Sequence, residues 1–270
     1  MSLLDRLSLN QITTQRWDLQ QAVDGCVRHE VPWIGVWREK VHEFGAEHSA
    51  RLIRDAGLKV SSVCRGGFFP AATAAERKSR IDESRRAIEE AALLGASTVV
   101  LVCGPPFDKD LAGARTMVAE GIAALVPDAA SHKIKLGIEP LHPMMLGQRS
   151  VICTLAEAND LAAQFPAENV GVIVDVFHVW WDPALYTEIA RAAGRILGFH
   201  ISDWAEPLPD IIYGRAMPGD GIIDLRRIHH AVADAGYRGP IEVEILNTAI
   251  WERPGDEVLS EMKGRVVEHL

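Results

Sequence analysis

No apolar run in this chain approaches the roughly 18 residues that span a bilayer, so the sequence offers no transmembrane segment. Four cysteines, Cys26, Cys64, Cys103 and Cys153, stand far apart and form no CxxC pair. In a chain of this size they read as reduced thiols rather than a disulfide framework. Dense lysine and arginine are missing too, and the net charge is −9. That balance lacks the electrostatic footprint of a nucleic-acid binder. No GxGxxG follows the first apolar run; the pairs Gly66-Gly67 and Gly219-Asp220-Gly221 lack the spacing of a dinucleotide loop. No linker or low-complexity tract interrupts the chain. Residues 1–6 bring charge in early, without the apolar core of a signal peptide, which predicts a cytoplasmic protein.

What is present is regular. The 270 residues are 48% hydrophobic and 24% charged, as in an ordinary globular chain. Short apolar runs predict strands over 7–12, 33–37, 59–64, 97–102, 134–139, 170–175, 196–201 and 241–245. Helical patterns fill the gaps. Thr73-Ala-Ala-Glu76 and Thr154-Leu-Ala-Glu157 fit capping boxes, and Asp224 fits an N-cap. Gly57, Gly95, Gly194 and Gly236 each precede a strand, where a helix ends in a left-handed residue. Strand–helix alternation implies parallel strands with right-handed crossovers. Eight such units in this length predict an α/β protein, a (β/α)8 TIM barrel, as one domain over 1–270.

Polar residues gather at one end of the last four strands. Glu139 closes the fifth, Asp175 the sixth with His178 three residues on, His200 lies in the seventh, and Glu244 ends the eighth. Strand carboxyl ends converge at the mouth of a closed barrel. An unpaired buried acid costs several kcal/mol, and a divalent cation would supply the shared counter-charge. Three carboxylates and an imidazole form a harder donor set than a structural zinc site. Singly, each residue has a plain alternative: Asp175 as an N-cap, His200 as a hydrogen-bonded core residue, Glu244 as an arginine's partner. Glu242 shares a strand face with Glu244 and is the competing ligand; Glu244 lies nearer the carboxyl end.

The order Glu139, Asp175-x-x-His178, His200 and Glu244, with Arg215-Ala-Met-Pro-Gly-Asp-Gly221, resembles the xylose isomerase-like barrels. More narrowly, it resembles the sugar phosphate isomerase/epimerase group that includes ketose 3-epimerases. The resemblance implies one divalent cation on Glu139, Asp175, His200 and Glu244, with Mn²⁺ favoured and Mg²⁺ or Co²⁺ as alternatives. It implies that Glu139 and Glu244 move protons on either face of an enediolate, while His178 and Arg215 hold substrate oxygens. General chemistry agrees: a cation that binds a carbonyl and its adjacent hydroxyl stabilises an enolate, and a neighbouring carboxylate serves as base.

His142 departs from that group, whose epimerases usually carry asparagine there. A histidine base at His142 points instead to β-elimination from 3-keto-glycosides, as in the C-glycoside deglycosidases, whose metal-bearing subunit the chain also resembles. That reading calls for a small accessory subunit. The expected partner is otherwise a small sugar or keto-glycoside, with a homo-oligomer in keeping with the group. Trp180 and Trp181 either stack on a ligand or pack between helices. Arg38 and Arg65 follow the second and third strands and are expected at the pocket rim, and Phe68 and Phe69 form an apolar wall. The same barrel hosts three-zinc apurinic endonucleases, but the extra histidines they need are replaced by Trp37-Arg38, Cys64-Arg65 and Cys103-Gly104. A non-catalytic sugar-binding protein would leave the acidic cluster unexplained.

Overall fold

Runs of valine, isoleucine and leucine buried on both faces suit parallel strands covered by helices. The computed structural model, which describes residues 2–270, has eight of them. They are β1 (Leu7–Asn10), β2 (Trp33–Trp37), β3 (Lys59–Gly67), β4 (Thr98–Val102), β5 (Lys135–Glu139), β6 (Val170–Asp175), β7 (Ile196–Ile201) and β10 (Ile241–Val243). All pair in parallel and close in the order β1-β10-β7-β6-β5-β4-β3-β2. Two short strands, β8 (Asp203–Trp204) and β9 (Arg215–Ala216), form a separate antiparallel pair above the seventh stave.

Eleven helical segments surround the barrel among the described residues. They are α1 (Leu19–Arg28), α2 (Arg38–Phe44), α3 (Ala46–Asp55), α4 (Ala74–Leu94), α5 (Leu111–His132) and α6 (Leu155–Ala162), followed by α7 (Val176–Val179), α8 (Leu185–Arg191), α9 (Leu225–Asp234), α10 (Thr248–Trp251) and α11 (Gly255–His269). Thr73 and Thr154 close both expected capping boxes, and Asp224 caps α9 by accepting from the Arg227 amide. Gly57, Gly95, Gly194 and Gly236 all have positive φ. No described helix is long and apolar enough to cross a membrane, and all four cysteines are buried and unpaired.

Three strand ends differ from expectation. The first strand stops at Asn10, whose side chain caps a 3-10 turn over Gln11–Thr14. The eighth stops at Val243. There the Thr13 hydroxyl donates to the Val243 carbonyl and accepts from the Ile245 amide, both at 2.9 Å, so a side chain continues the ladder past Glu244. The third strand runs on to Gly67, with its register slipping between Cys64 and Gly66. A Cβ on Gly67 would lie 2.1 Å from the Val102 carbonyl oxygen, so only glycine lets β3 and β4 stay paired there.

Outside the barrel, Gly121 of α5 receives the fully buried ring of Phe69, 2.2 Å from where a Cβ would stand. Phe69 is therefore a core anchor, not the pocket wall expected of it. The exposed Gly264 of α11 has open space instead. Gly121→Ala should lower stability by about 1–3 kcal/mol through overpacking, although alanine favours helices. Gly264→Ala should raise it by roughly 0.5–1 kcal/mol. Urea denaturation of both variants checks this; shifts of the same sign would contradict the packing assignment.

Candidate metal centre and active site

Register sets the ligands. Asp175 and His200 are paired across β6 and β7, and His200 pairs with Glu242 across β7 and β10. Glu139 ends β5, and Glu244 sits one residue beyond β10 with its amide bonded to the Ile201 carbonyl at 3.0 Å. One ligand atom from each of Glu139, Asp175, His200 and Glu244 lies within 4.8 Å of the others, and all four residues are buried. His200 Nδ1 stands 3.3 Å from both Glu139 Oε1 and Glu244 Oε2.

Neither contact has hydrogen-bond geometry. Glu139 Oε1 and both His200 nitrogens are buried without a hydrogen-bond partner. Each such atom costs about 1–3 kcal/mol if left unsatisfied. Carboxylate oxygens and an imidazole lone pair aimed at one point fit a single divalent cation, with bonds of about 2.0–2.2 Å. The residues fit the implied group.

Glu242 is not the ligand. It reaches into the barrel interior, where it accepts from Asn10 Nδ2 and Ser61 Oγ, both at 2.6 Å, and from Ser62 Oγ at 3.1 Å. Gly35 makes the room, since a Cβ there would meet Glu242 Oε1 at 2.0 Å. The carboxylate is thus fully satisfied by neutral donors. From that position its Oε2 faces His200 Nε2 at 3.8 Å, so the imidazole lies between two acidic tiers with Nδ1 toward the ligand cluster.

Arg215 completes the upper tier. Its Nη1 donates to Asp175 Oδ2 at 2.7 Å and to Glu244 Oε2 at 3.2 Å, and its Nη2 meets His178 Nε2 at 3.0 Å. The guanidinium lies 4.8 Å above the Phe177 ring. The β8–β9 pair brings it back over the mouth. Buried Asp203 accepts from the Trp204, Gly219 and Ile223 amides at 2.8–3.0 Å, and Asn247 Nδ2 donates to the Arg215 carbonyl. The Arg215–Gly221 motif is therefore loop architecture as well as an arginine. Sequence spacing alone could not show that.

Electrostatics divide the carboxylates. Burial raises Glu139, with Glu244 adding to the rise. Burial pushes Asp175 up to about 7, outweighing Arg215. Glu244 is pulled the other way: burial would raise it, but Arg215 and His200 hold it below the usual carboxylate range. For His200, burial is overcome by the Glu242, Glu139 and Glu244 charges, and its pKa rises well above normal. His178 drops well below normal through burial and Arg215, so it is a neutral imidazole. Burial, reinforced by Glu244 and Glu139, raises the Cys64 thiol, which is no nucleophile.

The cleft above is lined by Glu139, Glu244, His178 and Arg215, with Trp37, Leu141, Met145 and Leu246 as apolar wall. It is a recess of about 460 Å³ free of protein atoms and open to solvent. Three expected residues lie outside it. Arg38 is tied to Glu83 and Glu90 and lines a neighbouring cavity; its charge is already matched. His142 is half-buried in an aromatic box, with ring centroids 4.9 Å from Trp204 and 5.6 Å from Trp181, and its Nδ1 accepts from the Met144 amide. Trp181 donates to the His178 carbonyl at 2.8 Å, which ties it to the backbone beside the cleft. Arg65 and Arg149 do line the cleft; Arg149 sits in the β5–α6 connection and carried no signal in the sequence.

A closed parallel barrel with this donor set at its mouth has the residues that a metal-assisted enzyme requires. Residues 26–263 match the sequence profile of the xylose isomerase-like TIM barrel family, and the chain belongs to that family. It is 23% identical over 275 residues to an inosose isomerase of Bacillus licheniformis, covering 97% of each chain. It is 25% identical over 215 residues to a 3-dehydroshikimate dehydratase of Pseudomonas aeruginosa, covering 76% of this chain and 32% of that protein. Among solved structures it is similar to protein SMc04130 of Sinorhizobium meliloti, with TM-score 0.96, 43% identity and 98% of both chains covered. It shares its fold with the IolI protein, whose crystal structure holds zinc (TM-score 0.85, 20% identity, 97% of both chains), and with a D-psicose 3-epimerase (TM-score 0.80, 18% identity, 97% of both chains). The chain is an enzyme of this superfamily.

Because burial raises the folded-state pKa of Glu139 and Asp175, these groups retain protons to a higher pH than free carboxylates. A cation must displace those protons and the one that His200 holds, so affinity should rise with pH up to and through neutrality. It should fall by about tenfold per pH unit below that for each proton displaced. Calorimetric titration with MnCl₂ from about pH 5.5 to about pH 8 checks the sign, using the ordinary titration range of the ligands. An affinity constant across that window would contradict it.

Proposed function

We propose that this enzyme abstracts a proton α to the carbonyl of a small keto-sugar and returns it, as an isomerase or epimerase. The observation that carries this reading is the buried cluster of Glu139, Asp175, His200 and Glu244, with unpartnered atoms on Glu139 and His200 aimed at one point. When bound there, a divalent cation, proposed as Mn²⁺ with Mg²⁺ or Co²⁺ as alternatives, supplies Lewis acidity toward the substrate carbonyl.

The chain's own residues divide the remaining work. Glu139 and Glu244 enter the mouth from β5 and from the end of β10, with β6 and β7 between them, so a substrate in the cleft lies between two carboxylates. One takes the carbon-bound proton and the other delivers a proton, as general base and acid. Arg215 keeps Glu244 ionised and, with neutral His178, presents a donor and an imidazole to substrate oxygens. Leu141, Met145 and Leu246 keep that side of the cleft apolar, which limits competing water and strengthens each charge interaction. Similarity to the inosose isomerase supports a polyol- or sugar-derived ketone as substrate. Residues 1–270 act as one domain, and the enzyme is proposed to be cytoplasmic.

The elimination reading required His142 as base. Its ring packs against Trp181 and Trp204 and is not among the groups lining the cleft, whereas Glu139 and Glu244 are, which favours the carboxylates as the proton-transfer groups.

Deuterium uptake from D₂O into a panel of ketoses, followed by proton NMR with Mn²⁺ present, tests the proposal. Glu139→Gln should cut exchange by at least about a hundredfold, the usual worth of a positioned acid or base. His142→Ala should stay within about threefold of the parent, as expected for a residue outside the reacting set. A Glu139→Gln variant that keeps both metal and exchange rate would refute the mechanism.

A further inference from the structure

The cleft holds two arginines that form no salt bridge among the described residues. Arg65 and Arg149 line it together with Glu139, Glu244 and Arg215. Among the described residues, neither guanidinium has a salt bridge or a side-chain hydrogen bond, although most other arginines of the chain have one. Arg38, outside the cleft but with its Nη1 3.5 Å from the Arg65 carbonyl oxygen, shows the contrast with its two carboxylate partners.

Arg65 owes its position to the slip in β3. Cys64 pairs with Val100 and Gly66 with Leu101, leaving Arg65 as the extra residue. Such bulges re-aim a side chain and recur beside active sites. The guanidinium then lies 4.1 Å over the Phe68 ring, which holds its plane without using its N–H donors. Burial lowers the Arg65 pKa, and the nearby positive charges of Arg149 and Arg38 lower it further, while the Glu39 charge opposes them without a salt bridge. Two like charges are therefore held near each other at some electrostatic cost.

The charge balance of the cleft shows what they await. With a divalent cation in place, the carboxylates of Glu139, Asp175 and Glu244 are matched by that cation and Arg215. Arg65 and Arg149 remain without a salt-bridge partner among the described residues, in a chain whose net charge is −9. Planar guanidinium donors bind carboxylate and phosphate oxygens in paired, charge-assisted hydrogen bonds.

We propose that the substrate carries an anionic group, a carboxylate or a phosphate ester, which Arg65 and Arg149 hold at the end remote from the metal ligands. This rests on the enolisation reading for the other end of the substrate. It makes the preferred compound a keto-sugar acid or a ketose phosphate, and a neutral sugar a poor ligand. Arg65 and Arg149 become the specificity determinants of the cleft.

The test uses the full-length, Mn²⁺-loaded protein and three ketoses that differ at one end: D-fructose, D-fructuronate and D-fructose 6-phosphate. Calorimetry measures binding, and proton NMR in D₂O follows exchange in the same samples. One charged ketose should bind at least about tenfold more tightly than fructose, and added salt should narrow the gap. Tighter binding of fructuronate identifies a carboxylate, and of fructose 6-phosphate a phosphate. Arg65→Ala and Arg149→Ala should each remove about tenfold from the charged ligand's affinity, with fructose unaffected, and Arg65→Lys should restore part. Circular dichroism and stoichiometric Mn²⁺ binding establish that each variant is folded. No preference for either charged ketose, whether all three bind equally or none binds, overturns the proposal, as do folded arginine variants with unchanged affinities. Arginine-dependent binding of a charged ketose without deuterium uptake would leave the anion site standing and remove the enolisation reading.

Discussion

Three carboxylates buried together at the mouth of the barrel set the terms for everything around them. Removed from water, Glu139, Asp175 and Glu244 would repel one another and favour protonation. Arg215 supplies a compensating charge, and the cluster has the donors to hold a divalent cation as well. Most of the upper structure is arranged to keep that guanidinium in place. The β8–β9 pair returns the chain over the barrel, Asp203 gathers the amides of the returning loop, and Asn247 fastens the Arg215 backbone to the end of the last strand. Phe177 supports the guanidinium from below. Without Arg215, two of the three acids would lose their only cationic side-chain hydrogen bond.

A second acidic tier lies beneath the first and obeys a different rule. Glu242 and Glu244 project from the same face of one strand, two residues apart. Glu244 reaches the mouth and meets charges. Glu242 lies inside the barrel, where Asn10, Ser61 and Ser62 satisfy it with neutral donors. Depth along the barrel axis decides between these fates: hydroxyls and an amide suffice for one isolated carboxylate, but not for three sharing a point. Between the tiers, His200 faces acids on both sides, with Nδ1 toward the ligand cluster, as outer partners orient the histidines of metal sites.

Proteins named as isomerases and dehydratases are similar to this chain in sequence, and one named as an epimerase shares its fold, so the fold alone does not select a reaction or substrate. Selection belongs to the walls. Here the walls bring two unneutralised arginines to the cleft and withdraw His142 and Arg38 from it. Legibility in the sequence follows the same division. The eight strands, the capping boxes at Thr73 and Thr154, and the ligand order from Glu139 to Glu244 could all be read, because each is written in local periodicity or at a strand's end. Arg38 and Arg65 looked equivalent, each one residue past a run of strand character. Only the packing of α4, which brings Glu83 and Glu90 to Arg38, and the slip in β3 separate them.

Alternating apolar runs and helix caps were enough to determine an eight-stave parallel barrel, and strand-end acids were enough to mark its functional mouth, since both follow from short-range patterns and a closed topology. Which carboxylate faces the cation, which histidine stands clear and which arginine stays unpaired were decided by contacts between residues tens to hundreds of positions apart. Those contacts depend on register, depth in the barrel and the charges a neighbouring element happens to bring, and none of these is carried by spacing along the chain.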